Sequence, residues 1–190
     1  MSMKSATTLI VLLYILIHVR YRLWNTIFEL KNITCHKYHE ELFKKVSCNF
    51  MRRSSNNYSI GLQMMFSREL DRNFKAHVAI DVTPTNSTQI IHLIDLRFNC
   101  CMFLQQSLAN QLVRPLMNEF KRVTNLPEKC PFKKETLYDV KNFSLTKKFM
   151  PTFLPSLDFN ATLNLYDRNK LVASVQIIGN ITQKEKTNKQ

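Results

Sequence analysis

Hydrophobic and polar positions alternate along most of this chain. Phe74, Ala76, Val78, Ile80 and Val82 take every second place, with Lys75, His77, Ala79 and Asp81 between them. That is the period of a strand with one face inside. Tyr58, Ile60, Leu62, Met64 and Phe66 repeat it, as do Leu157, Phe159, Ala161, Leu163 and Leu165. Phe28 and Leu30 against Ile27, Glu29 and Lys31 predict a half-buried first strand over 26–35. Turn-forming residues punctuate these runs: Ser54-Ser55-Asn56-Asn57, the stretch 81–88 with Pro84 and Asn86, and Tyr166-Asp167-Arg168-Asn169 leading into a last strand over 171–178. The stretch 38–46 reads as either turn or strand, and 136–143 as either strand or loop.

Between these repeats lies the stretch around which the chain is organised, 90–131. It opens on an apolar strand, Ile90, Ile91, Leu93, Ile94, Leu96 and Phe98, and passes through Cys100-Cys101. Leu104, Leu108, Leu112 and Leu116 then recur every four residues, with Val113, Met117 and Phe120 beside them, before Cys130-Pro131. Such a stripe is that of a helix buried on one side, and Pro115 within it predicts a kink or two short helices. A meander of seven or so strands with one helical insertion between Cys101 and Cys130 predicts a mostly β protein, a two-layer antiparallel β-sandwich. With 2 glycines and 6 prolines there is no visible linker, so one domain is expected over 26–182, followed by a basic disordered tail at 183–190.

The N-terminus changes the expected compartment. Residues Thr7 to Val19 form an apolar run behind Lys4, with no acidic residue before Glu29. A run of about a dozen apolar residues suits the core of a secretory signal better than a membrane span. A signal peptide is therefore expected over 1–25, cut between Val19 and Thr26, with an uncleaved anchor as the alternative because no small-residue cleavage pattern follows the run. After cleavage no stable membrane span is expected. Asn-x-Ser/Thr triplets at Asn32, Asn57, Asn86, Asn142, Asn160 and Asn180 are candidate glycosylation sites and fit an exported chain. So do the 5 cysteines, which in an oxidising compartment read as disulfides with one thiol left over. No C-x-x-C occurs, and His36 and His39 beside Cys35 lack a second pair of ligands, so no metal and no cofactor are expected.

The formal net charge is +13, carried by scattered pairs such as Lys44-Lys45, Arg52-Arg53, Lys133-Lys134 and Lys147-Lys148. Neither a recognition helix nor an aromatic RNA-binding motif accompanies them, so no nucleic-acid partner is expected. Catalytic signatures are absent as well: there is no Gly-x-Ser-x-Gly, HExxH or phosphate loop, and the five histidines are dispersed. His92, inside an apolar run, reads as a hydrogen-bonded core histidine rather than a base. The expectation is a binding protein, not an enzyme.

Several landmarks carry a family resemblance. Phe28-x-x-Lys31-Asn32-Ile33-Thr34-Cys35, the second cysteine Cys48, Asn99-Cys100-Cys101-x-Phe103-Leu104, Cys130-Pro131 and a late proline before a final hairpin resemble an insect family of secreted domains of unknown function, number 1091. That family is distantly similar to the ML lipid-recognition sandwich, of immunoglobulin-like architecture, and to fly B-type contact-chemosensory proteins. Cys35, Cys48, Cys101 and Cys130 fall on its cysteines and Cys100 does not. By analogy with the ML fold, the resemblance implies Cys35–Cys48 and Cys101–Cys130 bridges, worth about 2 to 4 kcal/mol each. Asn99 stands where the family usually has Asp, and Leu154-Pro155-Ser156 lacks the glycine of the family's late turn.

The resemblance and the alternation together lead to a secreted carrier of a lipid or other small apolar ligand, in a chemosensory or reproductive setting. Candidate cavity residues are Phe74, Val78, Ile80, Phe103, Leu112, Phe159, Leu163 and Leu165, although the same residues would serve a closed core. A cavity below roughly 300 Å³ would argue against carriage. The alternative is an extracellular protein-interaction module whose basic pairs meet an acidic partner.

Overall fold

A computed structural model of the chain describes residues 24–106, 120–146 and 154–185. The described elements are β1 (Trp24–Lys37), β2 (Phe43–Ser54), β3 (Asn57–Phe66), β4 (Phe74–Pro84), β5 (Ile91–Asn99), α1 (Cys100–Gln106), β6 (Leu137–Thr146), β7 (Leu157–Asp167) and β8 (Lys170–Glu185). They form two antiparallel sheets, a large one in the order β1-β8-β7-β4-β5 and a small one in the order β2-β3-β6. The mostly β, sandwich-like arrangement read from the alternation is the one observed. The apolar leader, the stripe residues Leu108, Leu112 and Leu116, and Pro115 lie outside the described residues.

The period-two runs become strands because each has a side to bury. β4 pairs with β7 along its whole length, and its even-numbered set faces the interior: Phe74 and Ala76 are buried, while Lys75 and His77, opposite Tyr166 and Asn164, point the other way. Turn chemistry matches the sequence. Arg168 and Asn169, both at positive φ (48° and 65°), join β7 to β8 in a two-residue turn, the conformation that suits a twisted hairpin. Asn56, at φ 59°, turns β2 into β3. Its side chain also ties the layers: Oδ1 accepts from the Phe28 amide at 2.6 Å and Nδ2 donates to the Thr26 carbonyl at 3.0 Å.

Two apolar clusters fill the space between the sheets. One gathers Leu42, Phe43, Phe66, Leu70, Phe74, Phe132 and Tyr138. Phe66 is its hub, with the rings of Phe43, Phe74, Phe132 and Tyr138 at 5.2, 5.7, 6.0 and 5.9 Å. The other gathers Phe28, Leu30, Tyr58, Ile60, Val82, Leu157 and Ile181. Near it Gly179 passes so close to the Glu29 carbonyl and the Phe159 ring that a Cβ there would overlap both, beside the bulge that shifts β1 against β8 between Leu30 and Asn32.

Several expectations need correcting. The ambiguous stretch 38–46 splits into a turn and the start of β2, which runs past Cys48 to Ser54. The stretch 136–143 lies almost wholly in a strand, β6, because its residues pair with β3. β8 continues to Glu185, three residues into the stretch read as tail, held by Thr26 and Asn25 of β1 opposite Gln183 and Lys184. Most consequentially, the apolar strand over 90–98 is not interior. β5 is the last of the described strands of the large sheet, and Ile91, Leu93, Ile94 and Leu96 are all exposed there.

Candidate functional site

The two disulfides frame the site. Cys35 of β1 is bonded to Cys48 of β2, joining the two sheets, and Cys101 in the first turn of α1 is bonded to Cys130, just before the cis Cys130–Pro131 peptide. This is the pairing implied by the family resemblance. Beyond Pro131, Phe132 bridges to Leu70 through paired backbone hydrogen bonds of 3.0 and 2.9 Å, so α1 and the segment before β6 are fastened to the same end of the sandwich.

Under α1 lies a cavity of about 150 Å³. Phe74, Ala76, Leu163 and Leu165 of the large sheet form one wall, Leu62, Met64 and Val140 of the small sheet the other, and Phe103 and Leu104 of α1 close one end with Phe120 and Leu126. The walls are almost wholly apolar. Phe98 and Phe103 pack with ring centroids 4.6 Å apart, which anchors α1 to β5. Asp139 is the one charged residue of the described lining. Its carboxylate lies 3.3 Å from Lys141 Nζ, and its amide donates to Asn125 Oδ1 at 2.7 Å.

Cys100 also lines the cavity as a free, buried thiol. Burial pushes its pKa up from 9.0 to about 12, with a backbone hydrogen bond pulling weakly the other way. The thiol is therefore protonated at neutral pH, which removes the thiolate a nucleophile or a metal ligand needs.

Of the sequence-predicted cavity residues, Phe74, Phe103, Leu163 and Leu165 come together here. Ile80 and Phe159 do not: they pack against the other apolar cluster, near Phe28 and Tyr58, one or two turns of pleat further along the same strands. Val78, on the same inward face of β4, is not part of the lining either, and Leu112 lies outside the described residues. Sequence reasoning missed Leu62, Met64, Ala76, Phe98 and Cys100. The first four had the right parity in strands already recognised, but only the packing of one sheet on the other selects which inward residues meet a void.

A larger hollow of about 330 Å³ opens near the β7–β8 turn, but its walls are polar. His39, Glu41, Arg168 and Lys170 line it, and Arg68 reaches across it to an ion pair with Asp167. His92, expected in the core, is three-quarters exposed, with Nδ1 2.7 Å from Asp81 Oδ1. On the parallel site next along the sheet, His77 Nε2 lies 2.8 Å from Asp95. Both pairs sit on the outer face of the large sheet, the side of β4 opposite to Phe74 and Ala76. The same face carries three candidate glycosylation residues: Asn32 and Asn160 flank Ile178 from either side, and Asn180 follows two places on. Asn142, by contrast, is engaged by Ser59 and Arg53 at 3.0 and 3.2 Å.

These features define a class: a disulfide-fastened, two-layer antiparallel β protein with a small apolar cavity beside its second bridge. Residues 74–161 match the family described as "Protein of unknown function (DUF1091)", which bears out the resemblance read from the cysteine landmarks. The match takes in β4, β5, α1, β6 and the start of β7, and with them most of the cavity's walls. No curated protein matches the chain.

Proposed function

We propose that this is a secreted, glycosylated binding protein for a small apolar molecule, held in the cavity under α1, and that it carries out no reaction. The observation that carries the reading is the cavity itself: about 150 Å³ of space walled by Phe74, Phe103, Leu163 and Leu165, with a protonated thiol at Cys100. An apolar void of about that size stays dry and takes up a ligand such as benzene, because apolar walls offer water no hydrogen bonds. The volume lies below the roughly 300 Å³ that carriage was expected to need, which counts against a lipid or any other drug-sized ligand. The ligand is accordingly a small ring or a short chain rather than a whole lipid. Two disulfides support export, as persistent bridges belong to oxidising compartments, and no helix among the described residues is long and apolar enough to cross a membrane.

Cys100 provides the test. The rate at which methyl methanethiosulfonate modifies it, read by mass, is expected to fall when toluene or 1-hexanol is present, and the melting temperature to rise. Palmitate is expected to do neither. Leu163→Trp, filling the cavity, should abolish the protection while the disulfides remain intact. If neither small probe protects the thiol or raises the melting temperature, the reading is wrong. If palmitate alone protects it, the ligand class is wrong.

A further inference from the structure

The exposed large apolar side chains of the described residues gather mostly in one place. Among the described residues Ile90, Ile91, Leu93, Ile94 and Leu96 are between 40% and 59% exposed, all on or immediately before β5. Among the described strands β5 has a single neighbour, β4, and no described strand pairs with its other edge, beside these side chains. Such edges are normally blunted by lysine, proline, an inward charge or a bulge. β5 contains none of the first three. Its one irregularity is the bulge that leaves Leu93 without a partner, because Ile80 faces Ile94 and Asp81 faces His92. From Ile94 to Phe98 the strand is regular.

The chemistry of that regular stretch is self-complementary. Ile94, Leu96 and Phe98 pair with Ile80, Val78 and Ala76 and so share the inward face, whereas Asp95 and Arg97 pair with Ala79 and His77 on the outward face. Its two charges are opposite and cancel, in a chain whose net charge is +13. The strand therefore adds no like-charge contact of its own to the repulsion between two basic chains. We infer that β5 is the interface of a homodimer, in which two copies of the strand pair antiparallel about a two-fold axis at Leu96.

In that register Leu96 faces Leu96 of the second copy, Ile94 faces Phe98, and Asp95 faces Arg97 twice over, as an isologous contact requires. A two-fold axis normal to the sheet keeps the faces in step, so the apolar sides of both β4–β5 pairs become continuous and both ion pairs lie on the outer face. Opposite charges directly across a strand pair favour the register, and a slip of one residue would put Asp95 against an apolar side chain. Asp95 has a carboxylate oxygen to spare for Arg97: its Oδ1 is the one that His77 meets, and the side chain is 68% exposed. The inference rests on the sheet edge alone and is independent of what occupies the cavity.

The experiment is light scattering and sedimentation on the full glycosylated, oxidised chain at concentrations up to on the order of 100 µM, with equilibrium constants from the concentration dependence. A dimer is expected. Leu96→Lys should weaken it at least tenfold, as should Asp95→Arg or Arg97→Asp alone, with circular dichroism and melting temperature confirming that each variant is folded. The exchange Asp95→Arg with Arg97→Asp should restore the affinity to within a few-fold, because the cross-strand pairs are re-formed with their signs reversed. Leu96→Cys should cross-link spontaneously to a reducible dimer at the axis. A wild-type chain that stays monomeric overturns the inference, even if its edge captures a foreign peptide strand. A dimer indifferent to Leu96→Lys, or an exchange variant as weak as the single ones, overturns it too.

Discussion

The ring of Phe66 meets that of Phe132 edge-on, with centroids 6.0 Å apart and planes at 75°. Phe66 ends β3 in the small sheet, and Phe132 sits two residues after Cys130, so this contact joins the inner layer to the segment held by the second disulfide. Phe66 also touches Phe43, Phe74 and Tyr138 and is 1% exposed. Truncation there removes one side of four ring contacts at once. Phe66→Ala is expected to destabilise the fold by about 3 to 5 kcal/mol, and Phe66→Leu by clearly less, since the leucine refills part of the void. Urea unfolding followed by tyrosine fluorescence and circular dichroism measures both. A loss below about 1 kcal/mol for the alanine variant would remove Phe66 from its place as hub.

The Cys35–Cys48 bridge spans the layers through a loop of 13 residues. Closing a loop of that length restricts the unfolded chain and is worth about 3 kcal/mol. Replacing both cysteines by serine is expected to lower stability by about that amount while leaving the fold intact, because β1 remains paired along β8 for its whole length. Thiol counting on the denatured wild-type protein should give one free thiol without reductant and five with it. Any other count refutes the two-bridge arrangement.

Burial of Cys100 makes stability depend on alkaline pH. Below pH 9.0 the thiol keeps its proton in both the folded and the unfolded chain, so its burial contributes fully. Above that pH the unfolded chain ionises, while the folded chain holds its proton until about pH 12. Stability is therefore lost across this window at about 1.4 kcal/mol per pH unit. Wild type and Cys100→Ala should differ by a constant amount below pH 9 and then diverge, the wild type falling faster. Parallel curves up to about pH 10.5 would mean that water or solvent ions reach the thiol.

The pattern of residues alone was enough for most of the strands and their turns, though not for β2 or β6. A period of two states which side of a strand is apolar, and it is local, so β3, β4 and β7 could be read from Tyr58, Phe74 and Leu157 onward without knowing their neighbours. Likewise, Asn169 and Asn56 announce turns because asparagine tolerates positive φ, and Arg168 follows into the left-handed region beside Asn169. What periodicity does not contain is where a strand lies across the sheet or how wide the opposite layer is. Phe74 and Ile94 look alike in the sequence, yet Phe74 is buried on a central strand and Ile94 is exposed at an edge. Only the assembled layers decide that. The same is true of the cavity: parity offered Leu163 and Ile80 equally, and the docking of α1 through Cys101 and Phe103 put a void beside one and solid packing beside the other. Burial is a property of the whole arrangement, because a side chain is removed from water by what comes to rest on it and not by its own spacing along the chain.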